Sequence, residues 1–95
     1  MMRFEFDSEK AVENRREHGI TFAEAQTVFY DENAIQYDDP EHSDIEERFL
    51  MLGVSERLRI LVVSHTFRDT DKVIRIISAR KATKREQRAY GGKGR

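Results

Sequence analysis

The stretch VIRIISARKATKREQRAY, residues 73 to 90, joins an apolar run directly to a basic helical pattern. Its first half is rich in isoleucine, which is typical of a strand covered on both faces, although Arg75 interrupts the run. In its second half, Thr83 and Glu86 have the spacing of a capping box, in which each side chain accepts a hydrogen bond from a backbone N–H at the start of a helix. The stretch therefore predicts a strand followed closely by a basic helix.

The length and composition predict a single small domain. A chain of 95 residues can form one modest core, and the absence of cysteine excludes disulfides and thiolate metal sites and favours a reducing cytoplasm. No apolar run approaches the roughly 20 residues of a membrane-spanning helix, and the N-terminus lacks the apolar region of a signal peptide. We expect a soluble cytoplasmic protein with its domain over residues 1–90 and a flexible tail over 91–95.

The net charge of −1 conceals two halves of opposite charge. Residues 1–47 contain 14 Asp and Glu against 4 Lys and Arg, whereas residues 48–95 contain 4 against 13. The basic half could attract a polyanion, with the acidic half covering or orienting it. The two halves could equally be solvated surfaces that balance each other, and charge alone leaves both interpretations open.

A strand containing Phe4 and two helices are predicted before the basic half. The first helix should begin after Asp7 or Ser8 and end near Gly19, and a capping box from Thr21 to Glu24 should open the second.

Two polar features of the acidic half have alternative interpretations. Lys10, Asn14 and His18 recur every four residues and form one stripe, either as a contact surface or with Asn14 fixing neighbouring loops. The segment from Asp31 to Glu47 is acidic and has room for a short strand at 34–37. Its carboxylates lack the spacing of a calcium loop, so we expect a solvated loop rather than a cation site.

Three apolar runs, at 48–54, 58–67 and 73–80, predict an antiparallel meander because short turn-like links separate them. With two residues in the first turn and five in the second, His65 would lie opposite Arg75, and Arg48 would share their face. The helices would pack on the other face, against Met51, Ile60, Val62, Ile74 and Ile76. A slip of one residue would disperse the cluster.

A histidine between two arginines suits RNA cleavage by the RNA's own 2′-hydroxyl. Arginine stabilises negative charge on the phosphate oxygens, and the imidazole of His65 can carry a proton. Alternatively, Arg48 and Arg75 form salt bridges with the acidic half and His65 fills an ordinary strand position.

A set of residues spread along the whole chain forms a further pattern: Phe4-Glu5-Phe6-Asp7, Lys10, Asn14, Glu17-His18-Gly19-Ile20, Phe22, Ala25, Phe29, Glu47-Arg48, Arg75-Ile76-Ile77-Ser78-Ala79-Arg80-Lys81-Ala82, Glu86 and Tyr90. The pattern resembles the BrnT family of prokaryotic type II toxins. The resemblance implies a RelE-like ribonuclease fold, RNA cleavage that needs no metal or other cofactor and arrests translation, and a hetero-oligomer with a BrnA-type antitoxin. That antitoxin carries a DNA-binding domain, so any contact with DNA would be indirect.

The chain departs from the family pattern at two positions. Phe6 stands where Trp is common, and His65 stands where Tyr is frequent, so a histidine base would not be general to the family. We therefore predict first that four cationic side chains bind phosphate and stabilise charge: Arg48, Arg75, Arg80 and Lys81. His65 is the second choice, as proton carrier.

The C-terminal helix adds candidate RNA-binding residues: Lys84, Arg85, Arg88 and Tyr90. Tyr90 could stack on a base or close the core, and Glu86 could be purely a cap. The expected fold is α+β, with an N-terminal strand and two helices on an antiparallel sheet, followed by the basic helix. The expected function is a ribonuclease toxin; the alternatives are a non-catalytic RNA-binding or antitoxin-binding module and a metal-dependent nuclease.

Overall fold

The computed structural model describes residues 2–39, 41 and 46–92. Pro40, His42 and Asp44 of the acidic segment lie outside these ranges, as do residues 93–95 of the predicted tail. The helices and strands are, in chain order, β1 (Arg3–Glu5), α1 (Ser8–His18), α2 (Phe22–Thr27), β2 (Ile35–Asp38), β3 (Phe49–Val54), β4 (Ile60–Arg68), β5 (Val73–Lys81) and α3 (Lys84–Gly92). A 3-10 turn at Val28–Tyr30 follows α2.

The strands form one sheet in the order β1-β5-β4-β3-β2. Strands β3, β4 and β5 form the predicted antiparallel meander, and β2 adds to it antiparallel to β3, but β1 pairs in parallel with β5. The sheet is therefore mixed rather than wholly antiparallel, because the long connection after β1 lets that strand return beside β5 in the same direction. The predicted α+β class is confirmed.

The two faces of the sheet carry different helices. On the face that we call the core face, sheet residues pack against α1, α2 and the 3-10 turn; the buried cluster is Ile20, Phe22, Ala25, Val28, Leu61, Val63, Ile76 and Ala79. On the face that we call the open face, α3 covers only one end; the buried cluster there is Leu52, Val62 and Ala82, with Ile35, Leu50, Ile60 and Tyr90 against it. The prediction that Ile60 and Val62 face the first two helices is wrong.

The strand register differs from the predicted one by three residues between β3 and β4 and by one residue between β4 and β5. The link between β3 and β4 contains five residues, closed by a 2.9 Å hydrogen bond from Ser55 N–H to the Arg59 carbonyl, so Phe49 lies opposite His65. The link between β4 and β5 contains four residues. As a result His65 pairs with Ile76, and the predicted pairing of His65 with Arg75 is wrong. One residue of slip moves a side chain to the other face of a sheet.

The predicted helix starts are present, with one difference. Asp7 accepts the Glu9 N–H at 2.8 Å, and Gly19 ends α1 with φ +71°, in the left-handed region that glycine favours. Thr21 accepts the Glu24 N–H at 3.1 Å. The Glu24 carboxylate does not complete a capping box; it accepts hydrogen bonds from Ser55 Oγ at 2.6 Å and Arg59 Nε at 2.9 Å and so fixes the β3–β4 turn.

Asn14 attaches α1 to the sheet. Its amide nitrogen donates to the carbonyls of Ile20 and Ala79, and its amide oxygen accepts the Ala79 N–H, each at 2.9 Å. The side chain is buried, so these bonds satisfy backbone groups that water cannot reach. Of the two interpretations of the polar stripe, the structural one describes Asn14.

Replacing Asn14 should destabilise the fold. We expect Asn14→Ala to lower the free energy of unfolding by about 2–4 kcal/mol, because it leaves buried backbone groups without partners. Urea denaturation measures this loss. Lys10→Ala, an exposed change on the same helix, is the matched control and should alter stability by no more than about 0.5 kcal/mol. Equal stability of the two variants would contradict the structural role of Asn14.

Candidate nucleic-acid interface and active site

A line of polar side chains crosses the uncovered end of the open face. Thr66 pairs with Arg75, and Arg75 pairs with Glu5 on the neighbouring strand. Arg48 precedes Phe49, whose ring contacts the core-face side chain of His65, so strand alternation places Arg48 on the open face beside Thr66. We call Arg48, Thr66, Arg75 and Glu5 the arginine row. Because neighbouring strands lie about 4.8 Å apart, the row is roughly 14 Å long at the backbone.

Carboxylates lie beside the guanidinium groups of this region, whose side chains are partly exposed. Arg75 Nη1 donates to Glu5 Oε1 at 3.1 Å, and Arg68 Nε lies 3.3 Å from the same oxygen. Arg48 Nε lies 3.4 Å from Glu46 Oε1. The Arg75 side chain is 32% exposed, and ion pairs at such exposure contribute only about 0–1 kcal/mol. A phosphate group can therefore approach these arginines at little energetic cost.

Arg80 lies apart from the arginine row. It is five residues beyond Arg75 on β5, which corresponds to roughly 15 Å along the strand. Its guanidinium binds both oxygens of Glu86, at 2.8 and 3.0 Å. Glu86 also accepts the Thr83 N–H at 2.8 Å, while Thr83 Oγ1 accepts the Glu86 N–H at 3.1 Å. The predicted capping box is confirmed, and Arg80 ties it to the sheet.

His65 lies in the core. The side chain is 0% exposed, and its ring packs edge-on against Phe29 and Phe67. Nδ1 lies 3.0 Å from the Val63 carbonyl and Nε2 lies 3.3 Å from Gln36 Oε1. Burial lowers the pKa of the imidazole, so the ring is held neutral. It is on the opposite face of the sheet from Arg75.

The remaining predicted cations are exposed, but they do not join the row. Lys81 pairs with Leu61, whose side chain is on the core face, so Lys81 and Arg80 have opposite orientations. Lys84, Arg85 and Arg88 are exposed along α3, which borders the open face.

Tyr90 anchors the end of α3. Its ring packs on the cluster that α3 covers, and its hydroxyl donates to Asp31 Oδ2 at 2.6 Å. Burial and the neighbouring Asp31 carboxylate raise the pKa of Tyr90 to about 12. Of the two predicted roles, this geometry matches that of a core residue. The helix extends to Gly92, two residues into the segment predicted as a flexible tail.

The groove next to the arginine row is acidic. It has a volume of about 560 Å³, shares Thr66 with the row, and is otherwise lined by Glu46, Glu47, Phe49, Phe67, Arg68 and Asp71. Its carboxylates make it a poorer phosphate site than the row itself. Within residues 2–39, 41 and 46–92, no three His, Asp or Glu side chains are grouped so that they could hold a metal ion.

Comparison with known proteins identifies the family. The model of the BrnT ribonuclease toxin of type II toxin–antitoxin systems matches residues 6–86. The chain belongs to the BrnT family. The 1.1 Å crystal structure of the Brucella abortus ribonuclease toxin BrnT has the same fold, with a TM-score of 0.68 and 22% identity over 88% of this chain and 100% of that chain. A search of curated protein sequences finds no match.

Membership of the BrnT family confirms the resemblance seen in the sequence and implies an antitoxin partner. None of the helices in the described part of the chain is long and apolar enough to cross a membrane.

Three residues of this region were not predicted from the sequence as site residues: Glu5, Thr66 and Arg68. Glu5 reaches Arg75 only because β1 pairs in parallel with β5, a long-range contact that no local pattern reports. Because the register between β4 and β5 differs by one residue from the predicted one, Thr66 and Arg68 lie on the open face in place of His65.

The ion pair between Arg80 and Glu86 should make stability depend on pH. The hydrogen bonds from Arg80 lower the pKa of Glu86 from 4.5 to about 2, so the ionised carboxylate stabilises the folded state above pH 4.5, and this contribution is lost as the pH falls towards 2. We expect Glu86→Gln, which can still cap the helix, to be about 1 kcal/mol less stable at neutral pH. That difference should shrink with acidification.

Urea unfolding at a series of pH values from neutral to about 3 measures the difference. Glu13→Gln, which neutralises an exposed carboxylate on α1, is the control and should show a much smaller difference throughout. A difference between wild type and Glu86→Gln that does not change with pH would contradict the ion-pair account.

Proposed function

We propose that the protein is a metal-independent endoribonuclease toxin that cleaves RNA by attack of a 2′-hydroxyl on the adjacent phosphate and thereby stops translation. Its membership of a ribonuclease toxin family supports endoribonuclease activity. The observation that carries the mechanism is the arginine row, where the partly exposed Arg48 and Arg75 flank the buried Thr66 on the sheet face that α3 does not cover. Guanidinium groups there can bind the nonbridging phosphate oxygens and stabilise the charge that develops on them.

The reaction needs two proton transfers. The 2′-hydroxyl loses its proton to a base, its oxygen bonds to phosphorus, and the bond from phosphorus to the 5′-oxygen breaks as that oxygen gains a proton. The products are a 2′,3′-cyclic phosphate and a 5′-hydroxyl. The Glu5 carboxylate already contacts Arg75 and is half exposed, so we assign it the role of the base that takes the proton from the 2′-hydroxyl, and water supplies the proton that the 5′-oxygen gains.

The other predicted site residues take different parts in this proposal. His65 fills the core rather than carrying a proton, because its ring is enclosed on the opposite face. Arg80 positions α3 through Glu86. Three exposed cations of α3, at the margin of the open face, attract the RNA backbone without contacting the reacting atoms: Lys84, Arg85 and Arg88. Lys81 has the core-face orientation and takes no part in cleavage. Tyr90 holds α3 in place.

We propose a BrnA-type antitoxin with a DNA-binding domain as the partner, forming a hetero-oligomer in the cytoplasm. Contact with DNA would then occur only through the antitoxin. A small gene for a helical DNA-binding protein immediately next to this one, and co-purification of the two products, would support the pairing. An RNA-binding or antitoxin-binding module without catalysis is the second candidate, and the carboxylates that pair with Arg48 and Arg75 favour it, since paired arginines can serve as anchors alone.

Purified protein free of antitoxin should cleave RNA in the presence of EDTA. Because the attacking group belongs to the substrate, fragments should end in a 2′,3′-cyclic phosphate and begin with a 5′-hydroxyl, and RNA with 2′-O-methyl groups throughout should resist cleavage. End-group analysis of the fragments tests this. Cleavage abolished by EDTA, or fragments with 5′-phosphates, would contradict the mechanism.

Arg75→Ala should reduce the rate of cleavage by about 10²- to 10³-fold, the loss typical for removal of one group that stabilises developing charge. Arg16→Ala, which removes an exposed cation from α1 behind the other face, is the matched control and should cleave at nearly the wild-type rate. His65→Phe keeps an aromatic ring in the core and should retain most activity. Loss of activity in His65→Phe with a normal fold would restore the histidine as proton carrier and contradict the assignment above.

A further inference from the structure

Tyr37 is an exposed aromatic residue on the open face. It lies on β2, where Ile35 packs into the cluster beneath α3, and residues two apart on a strand share a face. Tyr37 pairs with Leu50, and its side chain is 42% exposed. Among the described residues it makes no ring contact and no side-chain hydrogen bond, in contrast to Tyr90, which is bound to Asp31, and Tyr30, which contacts Phe4. Ring contacts and side-chain hydrogen bonds within the described part of the chain therefore do not explain the position of this ring.

The position of Tyr37 relative to Arg48 matches the size of a nucleotide. Leu50, the partner of Tyr37, is two residues from Arg48 on β3. Two residues along a strand and one strand across give a separation of about 8 Å between the Cα atoms of Tyr37 and Arg48. One nucleotide spans such a distance between its phosphate and its base.

The row of paired residues that begins at Tyr37 lacks charged side chains, unlike the arginine row beside it. Across the sheet it continues through Leu50, Ser64 and Ser78, which are paired in that order. These side chains are apolar or carry hydroxyl groups, so they suit a base and a ribose rather than a phosphate. The exposed cations of α3 border the same face. An aromatic residue beside cations on a sheet surface is a common arrangement for binding single-stranded RNA.

We propose that Tyr37 is the stacking platform for a base of single-stranded RNA whose phosphate is bound at Arg48. The inference rests on the proposed function for the choice of RNA as the ligand. It gives Tyr37 the stacking role that the sequence suggested for Tyr90. Because every base has a π face, the contact favours unpaired nucleotides over a particular sequence, and a duplex, whose bases are already stacked, would be a poor ligand.

A binding assay tests the inference without relying on cleavage. The probe is a fluorescent single-stranded oligonucleotide with 2′-O-methyl groups throughout, which has no free 2′-hydroxyl to attack the phosphate. Fluorescence anisotropy should show that Tyr37→Ala and Tyr37→Leu weaken binding by about 5- to 100-fold, whereas Tyr37→Phe binds like wild type. Tyr30→Ala, which removes an exposed tyrosine behind the other face, is the matched control and should bind normally.

A probe with one abasic position then locates the base. At the position that stacks on Tyr37, loss of the base should weaken wild-type binding but leave Tyr37→Ala unchanged. Unchanged affinity in both Tyr37→Ala and Tyr37→Leu overturns the inference, as does a loss in Tyr37→Phe, which would indicate a hydroxyl contact. Normal RNA binding combined with a weakened antitoxin complex also overturns it, since Tyr37 would then be a protein contact.

The outcomes separate this inference from the proposed function. If wild type cleaves RNA but Tyr37→Ala and Tyr37→Leu bind and cleave like it, only the stacking role fails. If binding depends on Tyr37 but no cleavage occurs in any variant, the stacking role holds and the catalytic proposal fails.

Discussion

The register of the central strand β4 determines which side chains reach the open face. Thr66 pairs with Arg75, and His65 pairs with Ile76. A shift of one residue would place the histidine beside the arginine and drive Thr66 into the core, since the pleat alternates side chains between faces. The ring of His65 helps to stabilise this register, because it packs against Phe29, Phe49 and Phe67 on the core face. The chemistry available on the open face therefore follows from packing on the core face.

The second constraint is the helix α3, which divides the open face. Two polar contacts at its ends hold it against a small apolar cluster: the pair of Arg80 with Glu86 and the hydrogen bond from Tyr90 to Asp31. Because α3 covers the end of the sheet near Leu52 and Val62, it leaves the other end exposed. Arg80 and Tyr90, which the sequence assigns to catalysis and RNA binding, thus position α3 beside the part of the sheet that it does not cover.

Local features of the fold were predictable from the sequence, and long-range ones were not. Asp7, Gly19 and the box of Thr83 and Glu86 act through hydrogen bonds or backbone angles within a few residues, so their spacing was sufficient. The strand register depends on turns in which Leu58 and Asp69 to Asp71 adopt positive φ without glycine, so no turn signal fixed their lengths. The parallel pairing of β1 with β5 joins residues about 70 positions apart, which brings Glu5 to Arg75. The candidate site in the structure therefore contains Arg48 and Arg75, as predicted, but has Glu5 and Thr66 beside them instead of His65.

Binding of RNA across the open face, between α3 and the arginine row, is the central claim for this protein. Mapping of backbone amide chemical shifts in the ¹H–¹⁵N NMR spectrum, during titration with a 2′-O-methyl single-stranded oligonucleotide, tests this claim most directly. The account predicts that the largest changes cluster at Tyr37, Arg48, Thr66 and Arg75. Changes concentrated instead on α1 and α2, around Val12 and Ala23, would contradict it.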